Sequence, residues 1–232
     1  MLTLSEAWRL IASADSDLVM IVTLSLRVSL TATLVASALA IPAGAAVAIW
    51  SFPGRRVIVI VATSLMALPP VVVGLMVYLL LSRSGPLGDL GLLFTPGAMI
   101  IAQSVLIFPI VMALTREAIL PLEREYRLLI RSVDAGPGLR MATLVWDARF
   151  AVTTAILAGF GRAIAEVGAV IIVGGNINGV TRIMTTTIAL ETSKGNLELA
   201  LALGIILISI AFLVNALTHG ILHLGQKYQV SR

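Results

Sequence analysis

Apolar residues fall in long runs divided by short polar stretches, at about 18–50, 57–81, 98–114, 150–173 and 199–222. A helical bilayer crossing needs about twenty mainly apolar residues, so the pattern predicts about five transmembrane helices. The first run is long enough to tilt and holds Pro42 near its end, where a kink is expected. The second holds Pro69-Pro70 with Gly74 close behind, which removes backbone donors inside the run and predicts a break. Ahead of the first run, 4–14 sets Trp8, Leu10 and Ile11 beside Glu6 and Arg9, the make-up of a short interfacial helix and not of a sixth span.

One interval departs from this rhythm. Between the third and fourth runs, 116–149 stays polar for more than thirty residues. Within it Leu122, Tyr126, Leu129, Ile130 and Val133 recur at helical spacing, and Glu123 and Arg127 stand one turn apart as a pair. Asp134-Ala135-Gly136-Pro137-Gly138 stops that helix, and a second is predicted over 139–146. Helix, tight turn and helix make a rigid projection whose apolar positions either await a partner or pack on their own bundle.

Composition sharpens the picture. The 232 residues are 59% hydrophobic and 12% charged, whereas a soluble domain carries about a quarter charged residues. The expected architecture is all-α and integral to the membrane. Residues 1–17 form an extracytoplasmic interfacial segment, and 18–232 form one transmembrane domain with a cytoplasmic loop at 116–149. With no cysteine, disulfides and thiolate sites are excluded. The formal charge of +4 does not point to nucleic acid, because the cations lie between apolar runs. Arg55, Arg56, Arg116, Arg124, Arg127, Arg131, Arg140, Arg149, Lys227 and Arg232 collect on one side, against Arg9, Arg83, Arg182 and Lys194 on the other. Cations mark the cytoplasmic side, so the N-terminus is expected outside and the C-terminus inside. Acidic Glu6, Asp15 and Asp17 with no basic start predict no cleavable signal peptide.

Candidate chemistry sits inside the runs. Thr23, Arg27 and Thr31 form one stripe of the first helix, and Ser25, Ser29, Thr33 and Ser37 form another. Either lines a pathway or packs against a neighbour; Arg27 adds a charge that needs a cavity, a partner or a snorkelling route. Arg162 and Glu166 stand one turn apart, as a self-satisfying pair or as a lock at a gate. Gly161, Ala165 and Ala169 offer a small-residue edge for close helix contact. Gly174-Gly175-Asn176-Ile177-Asn178-Gly179 forms an external turn; with Thr181, Arg182, Thr185, Thr186 and Thr187 it either meets an anion or docking protein or is plain surface. His219 and His223 have ligand spacing, but no carboxylate or thiol cluster joins them and no metal site is expected. A phosphate loop Gly-x-x-x-x-Gly-Lys-Ser/Thr is absent. An intramembrane enzyme is the alternative of a different class, yet Gly-x-Ser-Gly and clustered intramembrane aspartates are missing. A scaffold subunit that transports nothing is the third.

Two motifs carry a family resemblance. Ala158-Gly159-Phe160-Gly161-Arg162-Ala163-Ile164-Ala165-Glu166-Val167-Gly168-Ala169 leads into Val173-Gly174-Gly175-Asn176-Ile177, and Pro69-Pro70-Val71-Val72-Val73-Gly74 precedes it. Both resemble permeases of type I ABC importers for oxyanions, from about residue 23 onward. Arg131-Ser132-Val133-Asp134-Ala135-Gly136 occupies the place of their EAA coupling loop, although Leu128-Leu129-Ile130 stands where EAA would be. Val167, Asp147-Ala148-Arg149-Phe150 and Leu190-Glu191-Thr192-Ser193-Lys194-Gly195-Asn196 are most similar to the tungstate (Tup-type) permeases, with molybdate and sulfate permeases as the alternative. The resemblance implies a non-enzymatic homodimer in the inner membrane with the pathway between protomers. It also implies an extracytoplasmic tungstate-binding protein and two cytoplasmic ATPase subunits, which would hold ATP and magnesium; no cofactor is expected in this chain. Coupling to the ATPase would fall to Arg131, Ser132, Val133, Asp134, Ala135 and Gly136. Pathway or gate candidates are Thr23, Arg27, Thr31, Pro69, Pro70, Arg162, Glu166 and Gly168.

Overall fold

The first apolar run folds into one unbroken helix. The computed structural model describes residues 2–132 and 134–230, the side chains of 2, 3, 131 and 223–230 excepted. Val133 and the side chains of Arg131 and His223 therefore lie outside the described residues. Helix α1 (Leu2–Ala12) precedes α2 (Ser16–Ile49). Asp15 caps α2 by accepting the amides of Asp17 and Leu18 at 3.0 and 3.3 Å. The 34 residues of α2 make a rod about 51 Å long that holds Pro42 within it.

The second run breaks where its prolines stand. Helices α3 (Arg55–Met66) and α4 (Pro70–Leu81) meet at 104°. Pro70 opens α4, where its missing N–H costs nothing. The break expected at Pro69-Pro70 is thus a sharp corner.

The third run continues past its expected end. Helix α5 (Pro96–Ser132) is 37 residues long with Pro109 and Pro121 inside it. The third crossing and the first projecting helix are one body, about 55 Å long. Helix α6 (Pro137–Asp147) then turns through 74° into α7 (Arg149–Ile164). The fourth run is cut short: it stops at Ile164 and resumes as the short α8 (Gly168–Gly174). Helices α9 (Met184–Lys194) and α10 (Leu197–Val230) complete the chain. Among the described residues, three helices are long and apolar enough to cross a membrane, or five if each bent pair is one span. No strand occurs among the described residues.

Helices α2 and α5 form the central pair. Ala32, Ala36 and Ala40 of α2 pack with Ile107 and Val111 of α5, and small residues let the rods close tightly. At Gly44 a Cβ would sit 2.5 Å from the Met112 carbonyl oxygen. One end of α2 packs Leu18 and Ile21 with Ala7 of α1, Met184 of α9 and Leu203 of α10. The opposite end, which carries the arginine cluster, packs Ala45, Ala48 and Ile49 with Ile119 of α5 and Leu144 of α6. Large apolar side chains such as Leu34, Ile60 and Phe212 point outward, as an apolar solvent requires.

Candidate functional site

Two broken segments meet inside the bundle. The Cβ that Gly74 lacks would lie 2.7 Å from Ala169 Cα, and the one Gly168 lacks would lie 2.7 Å from a Val71 methyl. The Pro69-Pro70 corner and the Glu166–Gly168 break are therefore pressed against each other through glycines. Glu166 is buried. Its Oε2 accepts Arg162 Nη1 at 2.5 Å and its Oε1 accepts the Ala169 amide at 3.1 Å, so the carboxylate closes the start of α8. Thr185 Oγ1 donates to the Glu166 carbonyl at 2.7 Å, and Gln103 Nε2 donates to the Ala163 carbonyl at 3.0 Å. Carbonyls at the break are thus taken up by side chains from α9 and α5, the Ala163 oxygen accepting the Glu166 amide as well at 3.1 Å, which is how irregular backbone survives at membrane depth.

At the arginine-rich end the chain makes an elbow. Asp134 adopts φ 46°, Ala135 N–H donates to Ile130 O at 3.2 Å, and Gly136 leads into Pro137 at the start of α6. Glu123, buried on α5, accepts Arg127 at 3.2 Å and Arg140 of α6 at 2.5 Å. One carboxylate therefore fixes α6 against α5. Leu122, Tyr126 and Ile130 pack inward, whereas Leu129 does not: it is 62% exposed, beside Leu128 at 79%, Leu139 at 64% and Trp146 at 69%. The elbow carries its own inner packing and still presents a bare apolar outer face.

No family model matches the chain. The tungstate uptake system permease protein TupB of Peptoclostridium acidaminophilum is 41% identical over 93% of this chain and 94% of its own length. A probable anion ABC transporter permease protein of Haloferax volcanii is 44% identical over 86% and 88%. TupB of Campylobacter jejuni is 42% identical over 73% and 71%. The chain belongs to the TupB-like ABC permeases.

In this permease the candidate residues separate into groups. Pro69, Pro70, Arg162, Glu166 and Gly168 converge on the double break. Ser132 ends α5, and Asp134, Ala135 and Gly136 lie in the elbow between α5 and α6. Thr23 and Arg27 of α2 are exposed and Thr31 is half-buried. The second stripe is the packing face: Ser25, Ser29, Thr33 and Ser37 are buried. Ser25 Oγ accepts the Met184 amide at 2.8 Å and donates to Ile21 O at 2.7 Å.

The small-residue edge of the permease divides as well. Gly161 has open space where a Cβ would stand, while Ala169 is buried on Gly74. Beside the turn at 174–179 the threonines are occupied. Thr181 Oγ1 donates to Gly174 O at 2.6 Å and Thr186 Oγ1 to Asn176 Oδ1 at 2.9 Å, both residues being buried. These hydroxyls brace the turn from within instead of facing an anion. Beyond it, Glu191 accepts Lys194 Nζ at 2.9 Å and Asn196 Nδ2 at 3.0 Å. The Lys194 hydrogen bond, the largest influence, holds this carboxyl below its usual range against the opposing effect of burial.

Sequence reasoning missed Gln103 and Arg140. Each acts across the fold, 60 and 17 residues from its partner, and neither sits in a local motif.

Proposed function

We propose that this permease is the membrane subunit of an ATP-driven importer that moves tungstate inward, working as a homodimer with two ATPase subunits and an extracytoplasmic binding protein. The relationship to TupB over nearly the whole chain carries the reading of cargo and partners. In this reading the arginine-rich end faces the cytoplasm and the N-terminus lies outside. The bare apolar face of the elbow, with Leu128, Leu139 and Trp146, is then the surface that the ATPase covers.

Coupling follows from the connections. Helix α6 is fixed to α5 by Glu123 and Arg140 and runs into α7 at Ala148. Helices α5 and α7 both reach the double break, through Gln103 and through Arg162 with Glu166. A push on the elbow reaches the break along two rods at once. At the break, Arg162 and Glu166 hold α7 to α8 and act as the lock whose rearrangement opens the pathway. The cargo needs a route without a tight trap, since conduction requires binding weak enough to leave.

The test is uptake by proteoliposomes that contain the permease, its ATPase and its binding protein. Tungstate uptake that needs ATP and the binding protein, and that excess sulfate does not suppress, supports the reading. Uptake of sulfate or molybdate in preference to tungstate would reassign the cargo, and ATP turnover indifferent to the binding protein would remove the coupling role.

A further inference from the structure

The arginine-rich end contains a cavity of about 850 Å³ that the coupling geometry leaves unexplained. It lies between the end of α2, the start of α3 and the far part of α5, with α6 contributing one residue. Arg55, Arg56, Arg116, Arg124, Arg127 and Arg140 line it, with Glu123 as the sole carboxylate in the wall. Glu123 is already shared by Arg127 and Arg140. Arg116 pairs with Glu117, and Arg55 donates to the Ala48 carbonyl at 3.1 Å. Among the described residues, Arg56 and Arg124 have no ion-pair partner. The Nε atoms of Arg116 and Arg140 are buried without a hydrogen-bond acceptor.

Membrane orientation accounts for cations on this side, but not for their convergence on one hollow or for buried guanidinium donors left idle. A buried donor without an acceptor is costly, and six guanidinium groups around one concavity with a single carboxylate in its wall leave a positive excess that a further anion would offset. Guanidinium forks match the paired oxygens of tetrahedral oxyanions. The remaining wall is mostly apolar: Ile60 belongs to the outward surface of α3, Val59 is partly buried against the core beside it, and Trp50 is exposed.

We propose that this cavity is a binding site for a tetrahedral oxyanion, held by the Arg116 and Arg140 Nε–H groups and by the free guanidinium groups of Arg56 and Arg124. The oxyanion is the phosphate of an anionic lipid headgroup, whose chains would lie along Val59 and Ile60, or a free dianion from solution. Because Arg140 belongs to α6 and the other arginines to α3 and α5, an occupant ties the elbow to the bundle. The inference depends neither on the cargo nor on the orientation argued above.

The experiment uses the full-length permease in phosphatidylcholine nanodiscs, wild type and the double variant Arg56→Gln/Arg124→Gln. Neither residue is buried, so the variant should fold, and its far-UV circular dichroism should match wild type. One arm titrates orthophosphate and tungstate and follows Trp fluorescence and melting temperature. The second replaces part of the phosphatidylcholine by phosphatidylglycerol and counts retained lipid by native mass spectrometry. Saturable binding in the first arm identifies a free oxyanion; selective retention in the second, insensitive to orthophosphate, identifies a headgroup. In either case the variant should bind at least about tenfold more weakly, since each charge-assisted bond contributes about that factor. Equal binding by wild type and variant in both arms overturns the proposal, as does the absence of binding in both.

Discussion

Replacing Gly74 by alanine adds one methyl group and tests the contact on which the double break is built. The added Cβ would lie 2.7 Å from Ala169 Cα, 3.0 Å from its carbonyl oxygen and 3.3 Å from its carbonyl carbon. All three are backbone atoms, so no side chain can swing away. Ordinary contact begins at 3.4 Å, and α4 and α8 would have to part by about 0.7 Å, the difference between 2.7 and 3.4 Å. Overpacking of this kind costs about 1–3 kcal/mol, which is roughly a 5- to 150-fold change in an equilibrium constant. Alanine is the better helix former by about 0.8–1.0 kcal/mol, so the net loss falls toward the lower part of that range. Gly204→Ala is the control: it lies in α10 with nothing within 4 Å of its missing Cβ, and it should be neutral or slightly stabilising. The assay is thermal unfolding of the purified proteins in one detergent, followed by uptake in proteoliposomes. Gly74→Ala should melt below wild type and transport more slowly, whereas Gly204→Ala should do neither. A Gly74→Ala protein that melts and transports like wild type would show that α4 and α8 are not in backbone contact.

Three further outcomes are expected. Glu123→Ala strands Arg140 against α5; because Arg127 is about half exposed and Arg140 reaches water, the loss should be about 1–3 kcal/mol and not that of a fully buried pair. Partner ATP turnover should then persist while uptake falls, and uptake equal to wild type removes Glu123 from coupling. Asp134→Val forces a β-branched residue into the left-handed region at φ 46°, at a cost of about 1–2 kcal/mol; Asp134→Gly should keep normal uptake per ATP, and a valine variant equally well coupled would argue against a rigid elbow. Glu191 has a lowered carboxyl pKa in the fold, so its contribution is complete above the unfolded value of about 4.3 and is lost as pH falls through the folded value. Melting temperatures of wild type and Glu191→Gln should therefore differ at neutral pH and converge on acidification, and a gap that widens in acid contradicts that sign.

The breaks and joins were unequally legible in the sequence. Pro69-Pro70 announces its corner because proline lacks the donor that a continuing helix needs. The break before α8 gives no such notice: the sequence holds no proline there, and Val167 nonetheless adopts φ −118° and ψ −53°. Helix α5 was expected to end where polarity rises at Thr115-Arg116. Hydropathy reports the solvent, however, and backbone hydrogen bonding continues unaltered from an apolar medium into water. The two hydroxyl stripes of α2 looked alike because each is periodic; which one is buried depends on where α5 and α9 lie. The pairing of Glu123 with Arg127 could be read from a four-residue spacing, and its second partner, Arg140, only from the folded turn.

The tight crossing at Gly44 pins α5 to α2 near its middle. The contact faces Met112, nine residues from Gln103 and eleven from Glu123, or about 14 and 17 Å along the axis. The double break and the elbow thus hang from one helix at similar distances on either side of a single close contact. Pro109 and Pro121 fall on opposite sides of that contact, so each half of α5 has its own place to bend.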